Sequence, residues 1–168
     1  MSYTIYESFV LQTKRALTSL SNIIQKAENS PNASTLPSAR LHPEMKCLSY
    51  QVFAATTQTS YVLAVLTDKP IPEINTKEDV LYTYAELHSR INDTLQAIES
   101  VDKDTVVENG DKTRSVPLGE DKPLLSGIAY ASIMQANIFF HVTTAYGILR
   151  KEDVSLGKID YILPFAMM

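Results

Sequence analysis

The sequence predicts an all-α bundle of four long helices, and three observations carry that expectation. Residues 126–149 contain no Asp, Glu, Lys or Arg, and as a helix they would span roughly 36 Å, enough to cross a small domain. Three other segments place apolar side chains three and four apart, the spacing that gives a helix one apolar face. Strand signals are confined to one short hairpin pattern ahead of the uncharged stretch. The 168 residues are read as a single domain, 1–168, large enough to bury a core that needs no disulfide or metal staple.

Bulk composition narrows the function classes. A content of 45% apolar and 20% charged residues, with a formal charge of −4, describes an ordinary globular chain. The basic residues are scattered, so neither a nucleic-acid surface nor binding to an anionic membrane is expected, since both need clustered Lys and Arg. Cys47 is the single cysteine, which rules out an internal disulfide and fits a reducing compartment. The opening MSYTIYESFV lacks the basic and apolar regions of a secretory signal, and a cytoplasmic address follows by default. Residues 126–149 are long enough to span a membrane, but Gln135, Asn137, His141, Thr143 and Thr144 argue for a buried core helix instead.

Taken in order, residues 4–27 carry Ile5, Phe9, Ala16, Leu17, Leu20, Ile23, Ile24 and Ala27 on one face, an amphipathic helix. Residues 29–42 are rich in Pro, Ser and Asn without a period and read as a loop. Pro43 suits the first turn of a second helix over 43–66, with Glu44 close to its N-terminus. Pro70 and Pro72 end that helix. Thr76 then reads as the N-cap of a third helix, with Asp79 in the position of the capping-box acid and a stripe of Leu81, Tyr84, Leu87, His88, Ile91, Leu95 and Ile98. Within 102–122, Asn109-Gly110-Asp111 is a turn signal between Thr105-Val106-Val107 and Arg114-Ser115-Val116, so a shallow hairpin is expected there. The uncharged fourth helix places Ile133, Met134, Ile138, Val142, Ala145, Ile148 and Leu149 inward, and a tail over 152–162 docks through Val154, Leu156 and Tyr161.

Chemistry is sought where polar groups ride on apolar stripes. Asn137 and His141 stand four apart on the fourth helix, and Cys47, Gln51 and Gln58 stand on the second. An imidazole left unpaired in a core costs about 1–3 kcal/mol, so His141 needs either a partner such as the Gln51 amide or a catalytic purpose. Cys47 reads as a small buried hydrophobe. Tyr130 lies two turns before Asn137 and is placed in the same cavity, as a ligand contact or as plain core. His42 and His88 have no histidine at zinc-site spacing, and no phosphate-binding glycine motif or nucleophile elbow is present.

The runs Leu41-His42-Pro43-Glu44-Met45, Gln51-Val52, Phe139 through Arg150 (FHVTTAYGILR from Phe140) and Leu156-Gly157-Lys158, with Tyr6-Glu7-Ser8 and the Pro72 loop, resemble a microbial family of uncharacterised DinB-like proteins. The resemblance covers essentially the whole chain. It implies a DinB-like four-helix bundle, with a long crossover, a short hairpin-like insertion before the last helix, and frequent pairing as a homodimer. Many members of that wider superfamily hold a divalent metal with three histidines, and some are thiol S-transferases or thiol-dependent isomerases. Placed on this chain, the three positions are Gln51, Asn137 and His141, so one imidazole and two amides stand where three imidazoles would. Amides are poor ligands for zinc or nickel, so no metal or other cofactor is expected.

The expected function is therefore binding of a small, largely apolar molecule in an internal pocket, with metal-free acid/base chemistry of cyclase or isomerase type as its extension. His141, Gln51 and Asn137 would act on the substrate, and Tyr130, Met134, Tyr84, Gln58 and Cys47 would line the site. Two alternatives stay open: a metal-dependent thiol transferase using His141 with Cys47 or His42, and a non-catalytic dimeric binding module.

Overall fold

The computed structural model describes residues 3–73 and 81–166, and its architecture is the expected helical bundle. A π-helical stretch, Tyr6–Leu11, runs straight into α1 (Gln12–Glu28). There follow α2 (Leu48–Leu66), α3 (Tyr84–Glu99), α4 (Lys103–Gly110), the strands β1 (Thr113–Ser115) and β2 (Leu124–Ser126), α5 (Gly127–Lys151) and α6 (Lys158–Ala166). The most extensive packing is α2 on α5; α3 leans on both α1 and α2, and α6 closes over α1. The core between them is made of side chains such as Leu17, Leu20, Ile24, Val52, Val62, Leu87, Ile91, Ile138, Val142 and Leu149, all buried. No helix among the described residues is long and apolar enough to cross a membrane.

The ends of the helices show which local signals won. α5 starts where expected because Ser126 caps it, its hydroxyl accepting from the Ala129 N–H at 3.2 Å. α3 is capped by Thr83, which accepts from the Glu86 N–H at 3.3 Å while the Glu86 carboxylate accepts from the Thr83 N–H at 2.7 Å, a reciprocal capping box. The expected cap at Thr76 with Asp79 lies outside the described residues. Helix α2 begins at Leu48, not at Pro43: Pro43 and Glu44 form an exposed turn, and the preceding loop holds a 3-10 turn, Ala33–Ser38. The first turn of a helix tolerates proline without requiring it, and here the chain reverses before it coils.

The hairpin is real but displaced. Residues 105–107, expected to supply its first strand, lie within α4, and Asn109-Gly110, expected in its turn, close that helix; Asp102 caps the segment by accepting from the Thr105 N–H at 2.8 Å. Of its two valines only Val106 is buried, and Val107 faces solvent. The two strands that do pair are antiparallel, with Thr113 opposite Ser126 and Ser115 opposite Leu124. The hairpin tip turns at Gly119, whose positive φ of 63° is natural for a residue without a side chain. Where the hairpin enters α5, Gly127 lies so close to the end of α4 that an added Cβ would stand 3.0 Å from the Asn109 carbonyl oxygen and 3.0 Å from a Leu66 methyl group.

Polar residues turned inward on α2 are mostly answered by their own helix. The hydroxyls of Thr56 and Thr59 donate to the carbonyls of Val52 and Ala55 at 2.9 and 2.8 Å, bonds that need no distant partner. One expected core side chain on α5 is not in the core: Ile133 is 42% exposed, because its position falls on the outer face of the helix beside Ser132 and Ala136, which are exposed too.

Candidate functional site

His141 lies at the seam between α2 and α5 and is 8% exposed. Its Nδ1 stands 2.7 Å from Oε1 of Gln51, a side chain only 2% exposed. The Gln51 amide is oriented by a second bond, its Nε2 donating to the Lys46 carbonyl at 2.9 Å. An amide oxygen only accepts, so His141 donates from Nδ1, and the lone pair of the neutral ring is left on Nε2. Burial holds the imidazole near pKa 4, well below its ordinary 6.5, because a desolvated ring resists taking on charge. In the free protein His141 is therefore a neutral, aimed hydrogen-bond acceptor.

Aromatic edges hold the ring. Phe140 and Tyr50 meet it nearly perpendicular, with centroids at 5.5 and 6.1 Å. Tyr50 in turn contacts Phe53 at 5.9 Å, and Phe53 stacks on Tyr82 at 6.4 Å. The Arg90 guanidinium lies 4.8 Å from the Phe53 ring centre and 5.4 Å from that of Tyr82, a cation seated on π faces. Its Nη2 donates to the Thr57 hydroxyl at 3.2 Å, and its buried Nε has no hydrogen-bond partner among the described residues. This seat draws on α2, α3 and the segment before α3. No spacing in the sequence marks it, because the three contributions are far apart along the chain.

The remaining expected site residues are dispersed. Asn137 is half-buried one turn before His141, and no described residue takes its amide. Cys47 is buried at the start of α2, one turn before Gln51. Met134 is buried on α5 and Gln58 half-buried on α2, and both lie about 10 Å along their helices from His141 and Gln51 respectively. Tyr130 is about 16 Å from His141 along α5, so the two stand at different levels of the helix; it is fully buried, and its hydroxyl has no partner among the described residues. Burial, with the nearby Tyr61 phenol, pushes its pKa upward. Tyr84 faces elsewhere: its hydroxyl donates to the Ala33 carbonyl at 3.0 Å, and burial beside Glu28 pushes its pKa to about 12.

A shallow apolar cleft of about 490 Å³ lies along this part of α5, formed by Leu41, Phe139, Phe140, Thr143, Thr144, Tyr146 and Gly147; His141 is not itself in its wall and meets it through the Phe140 ring, 5.5 Å away. It runs along the residues that flank His141 on α5, and Phe140, 54% exposed, belongs to both the cleft and the ring's surroundings. The divalent metal implied by the resemblance to DinB-like proteins does not fit these donors. Gln51 and His141 spend their facing atoms on each other, and among the described residues no three His, Cys, Asp or Glu side chains converge. His42 sits in the exposed turn before α2, its Nδ1 accepting from the Glu44 N–H at 3.3 Å.

A family model described as a domain of unknown function, DUF1993, matches residues 5–162. Among solved structures, the chain is similar to a DinB family member protein from Shewanella denitrificans, with a TM-score of 0.78 and 31% identity over 94% of this chain and 91% of that one. No curated protein matches it. The chain thus belongs to the DUF1993 family, an uncharacterised DinB-like family with an all-α bundle.

Proposed function

We propose that the protein binds a small, largely apolar molecule carrying one hydrogen-bond donor, which it delivers to Nε2 of His141 from the apolar cleft beside Phe140. One observation supports this above the others: the Gln51 amide, itself held by the Lys46 carbonyl, commits Nδ1 of His141 and so reserves the other ring nitrogen as an acceptor. Asn137, with no described partner one turn away, is available to a second polar atom of the ligand. A metal-free proton-transfer role, of cyclase or isomerase type, asks more of the ring. With a pKa near 4 it is a weak base at neutral pH, so a substrate would have to bring a charge that restores its basicity. Binding is the reading with the better support.

Phenol and anisole test the reading, since they share a ring and differ in the donor. Phenol should shift the His141 side-chain nitrogen resonances saturably, anisole should not, and His141→Leu should abolish the phenol response while leaving the helical circular dichroism unchanged. Equal responses to both compounds, or a phenol response that survives in His141→Leu, would overturn it.

A second reading, self-association, has its own support. The outer face of α5 presents Ile133, Ala136, Phe140 and Thr143 exposed within a stretch free of charge from residue 126 to 149. A neutral apolar face can meet a second copy of itself about a twofold axis without opposing like charges. Sedimentation should then show a homodimer that Ile133→Glu converts to monomer; a native chain that sediments as monomer would exclude the dimer.

A further inference from the structure

A second cleft lies away from His141, between α2, the segment that follows it, and the β1–β2 hairpin. It encloses about 660 Å³, with Tyr61, Ile71, Glu73, Val116, Pro117 and Lys122 among its walls. That is within the size range of small-molecule sites, about 300–1,000 Å³. Its chemistry is mixed in a specific way. Ile71, Val116 and Pro117 offer an apolar floor, while Glu73 and Lys122 bring one charge of each sign from two different segments. Neither charged side chain makes an ion pair with any described residue, and the two do not pair with each other. The Tyr61 hydroxyl likewise has no hydrogen-bond partner among the described residues. Behind it lies Tyr130, whose fully buried hydroxyl is also unpartnered. Buried polar groups ordinarily find partners.

The geometry points to this cleft as a second ligand site, separate from His141, for a small zwitterion with an apolar side chain, the class of free α-amino acids. A lone anion would meet Lys122 favourably and Glu73 unfavourably, and a lone cation the reverse. A ligand carrying both charges satisfies both walls, while its side chain covers Ile71, Val116 and Pro117 and its polar end reaches the Tyr61 hydroxyl.

Calorimetric titration of the full chain with three probes that share a phenyl group tests the assignment: L-phenylalanine, 3-phenylpropionate without the ammonium, and phenethylamine without the carboxylate. L-Phenylalanine should bind saturably and tightest. Lys122→Ala should weaken L-phenylalanine and 3-phenylpropionate by about tenfold and spare phenethylamine, and Glu73→Ala should weaken L-phenylalanine and phenethylamine by about tenfold and spare 3-phenylpropionate. His141→Leu should leave all three unchanged, which separates this site from the one proposed above. Absence of saturable binding, a single-charge probe that binds as well as the zwitterion, or affinities indifferent to both charge removals would overturn the proposal.

Discussion

The two ends of the α2–α5 seam solve the same problem differently. At one end a buried imidazole and a buried amide satisfy each other, and the amide also takes a backbone carbonyl. Toward the other end, the Gln58 amide oxygen and the Tyr130 hydroxyl are buried without partners among the described residues, while the packing around Gly127 is so close that an added methyl group would make its neighbours give way. The first end is ordered by hydrogen bonds and the second by shape. A polar residue on an apolar stripe therefore does not by itself say what holds it in place.

The contrast is sharpest in its response to pH. In the unfolded chain His141 titrates near its ordinary 6.5, whereas burial holds it near 4 in the fold. Between those values the unfolded state binds the extra proton, so its contribution is intact above pH 6.5 and is lost as pH falls toward 4, by about 3 kcal/mol in all. Glu7, Glu86, Asp102 and Asp160 are held below their ordinary values by hydrogen bonds; being carboxylates, they lose stability only at lower pH. Urea midpoints at pH 7 and pH 5 should accordingly differ more for the native chain than for His141→Leu, and equal differences would show that the imidazole is not desolvated.

The next largest effect should come from Gln51→Leu, which leaves the Nδ1 donor of His141 buried and unanswered at a cost of about 2 kcal/mol, read from the urea midpoint. At the other end, Gly127→Ala forces a methyl against two backbone carbonyls and Leu66 and should cost about 1–2 kcal/mol. Tyr130→Phe should be the smallest, within about 0.5 kcal/mol of the native chain, because the lost hydroxyl had no partner to abandon. A large loss in Tyr130→Phe would erase the difference between the two ends.

Sequence reasoning reached the helices whose apolar residues repeat with the helical period, and α1, α2, α3 and α5 all follow that pattern. It misread the segment after α3, where Val106 and Val107 favoured a strand and the Asp102 cap, worth about 1 kcal/mol, supported a helix. It placed Ile133 in the core because helical spacing defines a face only to within a broad arc. The His141–Gln51 pair was legible as one reading of two inward polar groups. Gathering Tyr130 and Gln58 around His141 was not sound, because sharing a stripe fixes direction around the axis and leaves distance along it free. The Arg90 seat was invisible, since it exists only once Phe53, Thr57 and Tyr82 are folded together.

The bond from Gln51 to Lys46 links the buried imidazole to the chain's last bend before α2. The aim of the imidazole is thereby referred to main-chain geometry at Lys46, five residues from the amide in sequence, and not to another side chain. A buried ring is in this way anchored, through one amide, to backbone at the margin of the fold.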